Sequence, residues 1–137
     1  MYSNIVVPVD LAHPDPLDKA LATATDLARH YGATLTYVSV TAETPTAVAH
    51  NPREFGEKLA AFARKRSEAD GVAIDTKAYT ATDPTIDVDR YLLRAAEDTN
   101  ADLVVVASHK PGLADYFWGS HGGKLAGHAP MSVFVVR

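Results

Sequence analysis

The segment Gly119-Ser120-His121-Gly122-Gly123 carries the most unusual local chemistry in the chain. Gly119 lets a backbone approach a ligand closely. Ser120 can cap a helix or offer its hydroxyl, and the unpaired amides of a first helical turn make a site for an anion. Gly122 and Gly123 each cost on the order of 1 kcal/mol relative to alanine inside a helix. That cost is easier to understand where something must pack very close. A plain helix cap with tight helix–sheet packing accounts for the same residues equally well.

Two further segments sit where apolar runs end. Pro8-Val9-Asp10 places an acid at a strand tip, and Ala107-Ser108-His109-Lys110-Pro111-Gly112 follows the cleanest apolar run in the chain. Asp10 can accept hydrogen bonds from a ribose or a base; the plainer alternative is a solvated acid, or a cap for the turn at Leu11–Ala12. Lys110 suits a phosphate. His109 could do acid–base work, although a loop histidine making one structural hydrogen bond is the simpler reading. The six histidines show no i,i+4 pair and no other metal-ligand spacing, so no metal site is expected. Ser120 and His121 would point to different helix faces, and no nucleophile–base pair or catalytic residue is assigned. Tyr116, Phe117 and Trp118 are expected to pack over a sheet.

The elements that must position these groups alternate from end to end. Asn4–Val9 reads as a strand buried on both faces. Asp15-Pro16 should start a helix, with Asp15 as cap and Asp18 in its first turn. Leu17, Leu21, Ala24, Leu27, Ala28 and Tyr31 give its apolar stripe, and Gly32 its stop. Thr34–Val40 reads as a strand. Asn51-Pro52-Arg53-Glu54 supplies a cap, a first-position proline and a capping-box acid for a second helix. Phe55, Leu59, Phe62 and Ala63 form its buried face, and Gly71 ends it. Val72–Tyr79 is the third strand. Asp83-Pro84 opens a third helix with Ile86, Tyr91, Leu92 and Ala95 inward, Ala101–Ala107 is the fourth strand, and 108–118 a loop. A short helix over 119–128 and a strand over Ser132–Arg137 complete the pattern. Such alternation predicts a parallel sheet covered by helices on both sides. Ligands of these sheets bind beyond the carboxyl ends of the strands, where strand order reverses.

Composition sets the outer bounds. The 137 residues suit one domain, 1–137, with no linker or repeat. The absence of cysteine excludes disulfides and thiol catalysis and fits a reducing compartment. Apolar runs such as Leu103–Ala107 and Val133–Val136 are too short to span a bilayer, and the expected location is cytoplasmic. A net charge of −4 argues against nucleic-acid binding, so an anionic ligand must be held by local backbone donors.

The order of these features resembles the universal stress protein family along the whole chain. The specific part is the C-terminal third: Gly119-Ser120, then His128-Ala129-Pro130-Met131-Ser132-Val133-Phe134-Val135-Val136-Arg137, against the family's G-S, short helix and H-A-P-x-x-V-x-V-V-[RK]. Pro8-Val9-Asp10 matches the family's P-[TV]-D. The resemblance implies an α/β fold: an open five-stranded parallel sheet of order 3-2-1-4-5, Rossmann-like, of the adenine nucleotide alpha hydrolase-like kind. It implies an adenine nucleotide, ATP or else ADP or AMP, with or without Mg2+, bound between the first and fourth strands. By position, Asp10 and Val40 would hold the adenosine end, and Pro8 and Val9 beside Asp10 are also expected to bind the nucleotide. Ala107, Ser108, His109, Lys110 and Gly112 would line the phosphate loop, and Gly119, Ser120 and His121 would hold phosphates. It also implies a homodimer paired through Val133–Val136, with at most slow ATP hydrolysis. The chain departs from the family's G-x-x-G-x9-G-[ST] pattern: Ala107 and Lys110 stand at the first two glycines, and the loop to Gly119 is one residue shorter. The Ala-Ser-His-Lys-Pro run resembles an A-S-H-[RK]-P branch similar to ATP-binding members. The departure keeps an alternative open, a dimeric interaction module that binds no nucleotide.

Overall fold

A computed structural model describes residues 1–107, 127 and 129–137. In chain order they form β1 (Asn4–Pro8), a 3-10 turn (Asp15–Leu17), α1 (Asp18–Tyr31), β2 (Thr34–Ala42), α2 (Pro52–Asp70), β3 (Ile74–Ala81), α3 (Pro84–Asp98), β4 (Leu103–Ala107) and β5 (Ser132–Val136). The strands make one parallel sheet in the order β3-β2-β1-β4-β5.

Alternation along the central strands sorts the core into two layers, because successive side chains leave a strand on opposite faces. Ile5, Val7 and Val9 of the β1 segment, with Leu35 and Tyr37 of β2, pack under Ala20, Leu21, Ala24 and Ala28 of α1 and Leu59 and Ala63 of α2. Val6, Val38, Val40, Val104 and Val106 pack on the other face against Leu92, Ala95 and Ala96 of α3. The apolar residues of β1 and β4 are thus shared between two helical layers, as a central parallel strand requires.

Both helix stops expected from glycine take the left-handed backbone, Gly32 at φ 65° and Gly71 at φ 68°. The cap of α2 is also as read: Asn51 Oδ1 accepts from the Glu54 amide at 2.8 Å, with Pro52 following. The Glu54 carboxylate, however, takes the amide of His50 rather than that of Asn51.

Other boundaries move. Asp15 does not cap α1; the first turn is wound as 3-10 over Asp15–Leu17, and neither it nor α1 has a side-chain cap bond. β3 begins at Ile74, not Val72, and runs to Ala81. Its ladder with β2 extends from Leu35↔Ile74 to Ala42↔Ala81, so both strands reach further toward their carboxyl ends than Val40 and Tyr79. Val72 and Ala73 lie between Gly71, which ends α2, and the start of β3. β4 starts at Leu103 because Asn100 holds a positive φ of 52° and the Ala101 amide still bonds back to Ala96 of α3. β1 stops at Pro8 and β5 at Val136. The loop 108–118 and the helix 119–128 expected from the sequence lie outside the described residues, save Gly127.

At the amino ends of the strands, Asp102 ties β4 to the start of the chain. Its carboxylate accepts from the Ser3 amide at 2.9 and 3.1 Å and the Asn4 amide at 3.0 Å. Burial pushes this carboxyl up, but the amides of Asn4 and Ser3 outweigh it and hold the group below the usual carboxylate range.

Candidate functional site

At the opposite end of the sheet a cavity of about 320 Å³ opens over the carboxyl ends of β1 and β2. Because β2 lies between β1 and β3, the cavity reaches from the exit of β1 across β2 to Pro84, the first residue of α3. Its size suits a small-molecule ligand, and its makeup follows the common rule of apolar walls with a few placed polar groups. Val9, Leu11, Ala12, Val40, Ala42, Ala47, Val48 and Phe55 give the apolar part. Asp10, Ser39, Thr41 and Thr46 give the polar part.

Asp10 is the one charged residue among the described lining, and it is only 5% exposed. The chain turns sharply on leaving β1, with the His13 amide donating to the Asp10 carbonyl at 3.2 Å. Within that turn Asp10 Oδ1 accepts from the Ala12 amide at 3.0 Å, and Oδ2 lies 3.1 Å from Nδ1 of His13. The acid is therefore buried and oriented rather than solvated, with its turn-capping role realised. A carboxylate offers roughly four acceptor positions, so these two bonds leave capacity for donors of a ligand. Beneath it the Val9 amide donates to the Val38 carbonyl at 2.7 Å, and the Ser39 hydroxyl donates to the Val9 carbonyl at 2.7 Å.

The far wall is a strap between β2 and α2. Its turn is closed by Thr46, whose amide donates to the Ala49 carbonyl at 2.8 Å while its hydroxyl accepts from the Val48 and Ala49 amides at 3.3 Å. The strap is fastened to α2 from outside. Lys58 Nζ donates to the Val48 carbonyl and lies 3.3 Å from Glu54 Oε1. Glu54 Oε2 takes both the amide and Nδ1 of His50, at 3.2 and 3.0 Å. These His50 bonds, with Lys58 beside them, hold the Glu54 carboxyl below its usual range.

Of the residues singled out from the sequence, Val9, Asp10 and Val40 line this cavity. Pro8 is buried at the end of β1, and Ala107 is buried at the end of β4; neither is among the described lining residues. Ser108, His109, Lys110, Gly112, Gly119, Ser120 and His121 lie outside the described residues, as do Tyr116, Phe117 and Trp118. Sequence reasoning passed over Ser39, Thr41, Thr46, Phe55 and Pro84. The available signal was Ser39, a lone hydroxyl between the valines of a buried strand close to its carboxyl end. Among the described residues no group of three His, Cys, Asp or Glu side chains is arranged to hold a metal ion, and no helix is long and apolar enough to cross a membrane.

The Universal stress protein family pattern matches residues 1–137. Universal stress protein G of Escherichia coli O157:H7 is 28% identical over 143 residues, covering 100% of both chains. The crystal structure of a universal stress protein family member from Burkholderia pseudomallei is 26% identical with a TM-score of 0.68, over 98% of this chain and 96% of that one. A universal stress protein from Archaeoglobus fulgidus in complex with dAMP shares the fold, with a TM-score of 0.68 at 17% identity over 99% and 98% of the chains.

Proposed function

The chain belongs to the universal stress protein family, and from that premise we propose that it binds an adenine nucleotide, ATP or else ADP or AMP, as a homodimer. The observation that carries this reading is the cavity at the carboxyl ends of β1 and β2, with the buried carboxylate of Asp10 in its wall. It lies beside the point where strand order reverses, β1 having β2 on one side and β4 on the other, which is where open α/β sheets take their ligands. The fold relative from Archaeoglobus fulgidus holds dAMP, which favours an adenine ligand.

In this reading the flat, largely apolar base and its ribose enter between Val9, Asp10 and Val40. Asp10 accepts from the sugar or base, and Ala47, Val48 and Phe55 give it an apolar wall. The phosphates fall to Ala107, Ser108, His109, Lys110 and Gly112 and to Gly119, Ser120 and His121, for which the sequence predicts a helix start whose backbone amides would match their charge. Mg2+, where present, arrives on the phosphates. Hydrolysis stays slow, because binding groups are assigned here and no catalytic base is. The dimer forms through β5, whose sheet edge carries Phe134 at 45% exposure; an apolar edge strand is a liability until it is paired.

Calorimetric titration with ATP, ADP and AMP tests the site. Binding that Gly119→Asp abolishes, by setting a like charge beside the phosphates, supports the assignment; equal affinity in both proteins removes it. One observation favours a second reading, an interaction module without nucleotide: both Asp10 oxygens already have partners within the chain. Thermal unfolding separates the two. A ligand at a hundred times its Kd stabilises by about 2.7 kcal/mol, whereas the interaction module shows no shift with saturating ATP, ADP or AMP.

A further inference from the structure

We propose that Ser39 is a positioning residue for the nucleotide's base end, setting the backbone from which Asp10 and Val40 address the ligand. The proposal rests on the nucleotide reading above and adds a residue that touches the site from below. In a parallel ladder, successive rungs join the two strands at even spacing. Between β1 and β2 the paired positions run from Asn4↔Thr34 to Pro8↔Val38, and the Val9 amide makes a last bond to the Val38 carbonyl. Where the ladder's next rung would fall, the Val9 carbonyl instead accepts from the Ser39 hydroxyl at 2.7 Å. A side chain has taken the place of a backbone rung. The ladder stops there, and Val40, the next residue of β2, lines the cavity.

The substitution has two effects on the site. It satisfies a carbonyl that is otherwise buried, since Val9 is 0% and Ser39 2% exposed; an unpaired acceptor there would pull the peptide toward another donor. It also fixes the plane of the Val9–Asp10 peptide. Asp10 is then held from three directions: the Ser39–Val9 bond behind it, and the Ala12 amide and His13 ring on its two oxygens. Preorganisation of this kind improves affinity by lowering the ordering cost on binding rather than by adding a ligand contact.

The test is ATP calorimetry on wild type, Ser39→Ala, Ser39→Cys, Ser39→Thr, Asp10→Asn and the Ser39→Ala/Asp10→Asn double variant, with thermal unfolding of each. Ser39→Ala is expected to weaken ATP binding about tenfold, the affinity equivalent of one buried hydrogen bond. Ser39→Cys, which keeps the volume and loses the strong donor, should do the same if the alanine variant folds poorly. Ser39→Thr, which keeps the hydroxyl, should stay nearer wild type. Because Ser39 acts through Asp10, the double variant should bind little worse than Asp10→Asn alone. Three outcomes overturn the proposal: a Ser39 variant that loses thermal stability at unchanged affinity, an additive double variant, or Ser39→Thr as weak as Ser39→Ala. If wild type shows no ATP binding, the nucleotide reading fails and the proposal falls with it; ATP binding unchanged in Asp10→Asn, or weakened Asp10→Asn beside unaffected Ser39 variants, sinks the proposal alone.

Discussion

Asp10 and Asp102 are the same chemical group at opposite ends of one sheet, and they are used differently. Asp102 spends its acceptors on backbone, drawing the Ser3 and Asn4 amides onto one carboxylate and joining the start of β1 to the start of β4. Asp10 takes one backbone amide and one imidazole, and faces a cavity. The contrast follows from the direction of parallel strands. At the amino ends the chain arrives with amides that need acceptors, and a carboxylate that supplies them strengthens the fold. At the carboxyl ends the strands splay into loops, and a carboxylate there is left with capacity for something outside the chain.

The comparison can be broken in order of effect. Asp102→Ala should cost about 2 kcal/mol of stability, the scale of charge-assisted hydrogen bonds lost together, and leave nucleotide affinity unchanged; urea unfolding and calorimetry measure the two. Asp10→Asn should do the reverse. It preserves shape and an acceptor for the Ala12 amide, so stability should shift by less than about 1 kcal/mol, while ATP affinity falls about tenfold, as for one lost hydrogen bond. If both variants lose stability equally and neither alters binding, the division of labour is wrong. Asn51→Ala, which removes the cap of α2, should cost about 1 kcal/mol, read as a lowered melting temperature.

The last test uses acid. The folded Asp102 carboxyl lies below its ordinary value near 4. Its contribution is therefore complete above about pH 4 and disappears as pH falls through the folded value. The stability gap between wild type and Asp102→Asn should shrink across that acid range and stay constant from there to neutrality. Urea midpoints at a series of pH values decide it; a gap that does not change with pH would mean the amides gain nothing from the charge.

The alternation of apolar runs and capped helices made the architecture legible, since Val6 and Val7, or Val104 and Val105, can only both be buried if helices cover two faces. Gly32, Gly71 and Asn51 marked their helix ends because each answers a local backbone need. Register was less visible. The shift of β3 to Ile74–Ala81 depends on pairing with a neighbour remote in sequence, which a local window does not contain. Of the site, Asp10 and Val40 were legible as residues at strand ends. Phe55 and Pro84 were not, because each also has a sufficient reading as part of a helix; only the sheet order brings them to one cavity. Ser39 was hidden for a different reason, its role being a bond to the backbone of a strand thirty positions earlier.

The strap over the cavity is anchored by Lys58 and Glu54, side chains from the first two turns of α2, and Phe55 of the same helix forms wall beside it. Occupancy is therefore not a private matter of the loop. A molecule that seats against Val48 and Phe55 restrains the whole entrance of that helix, and its amide protons from Phe55 to Leu59 should exchange with deuterium more slowly when the cavity is filled.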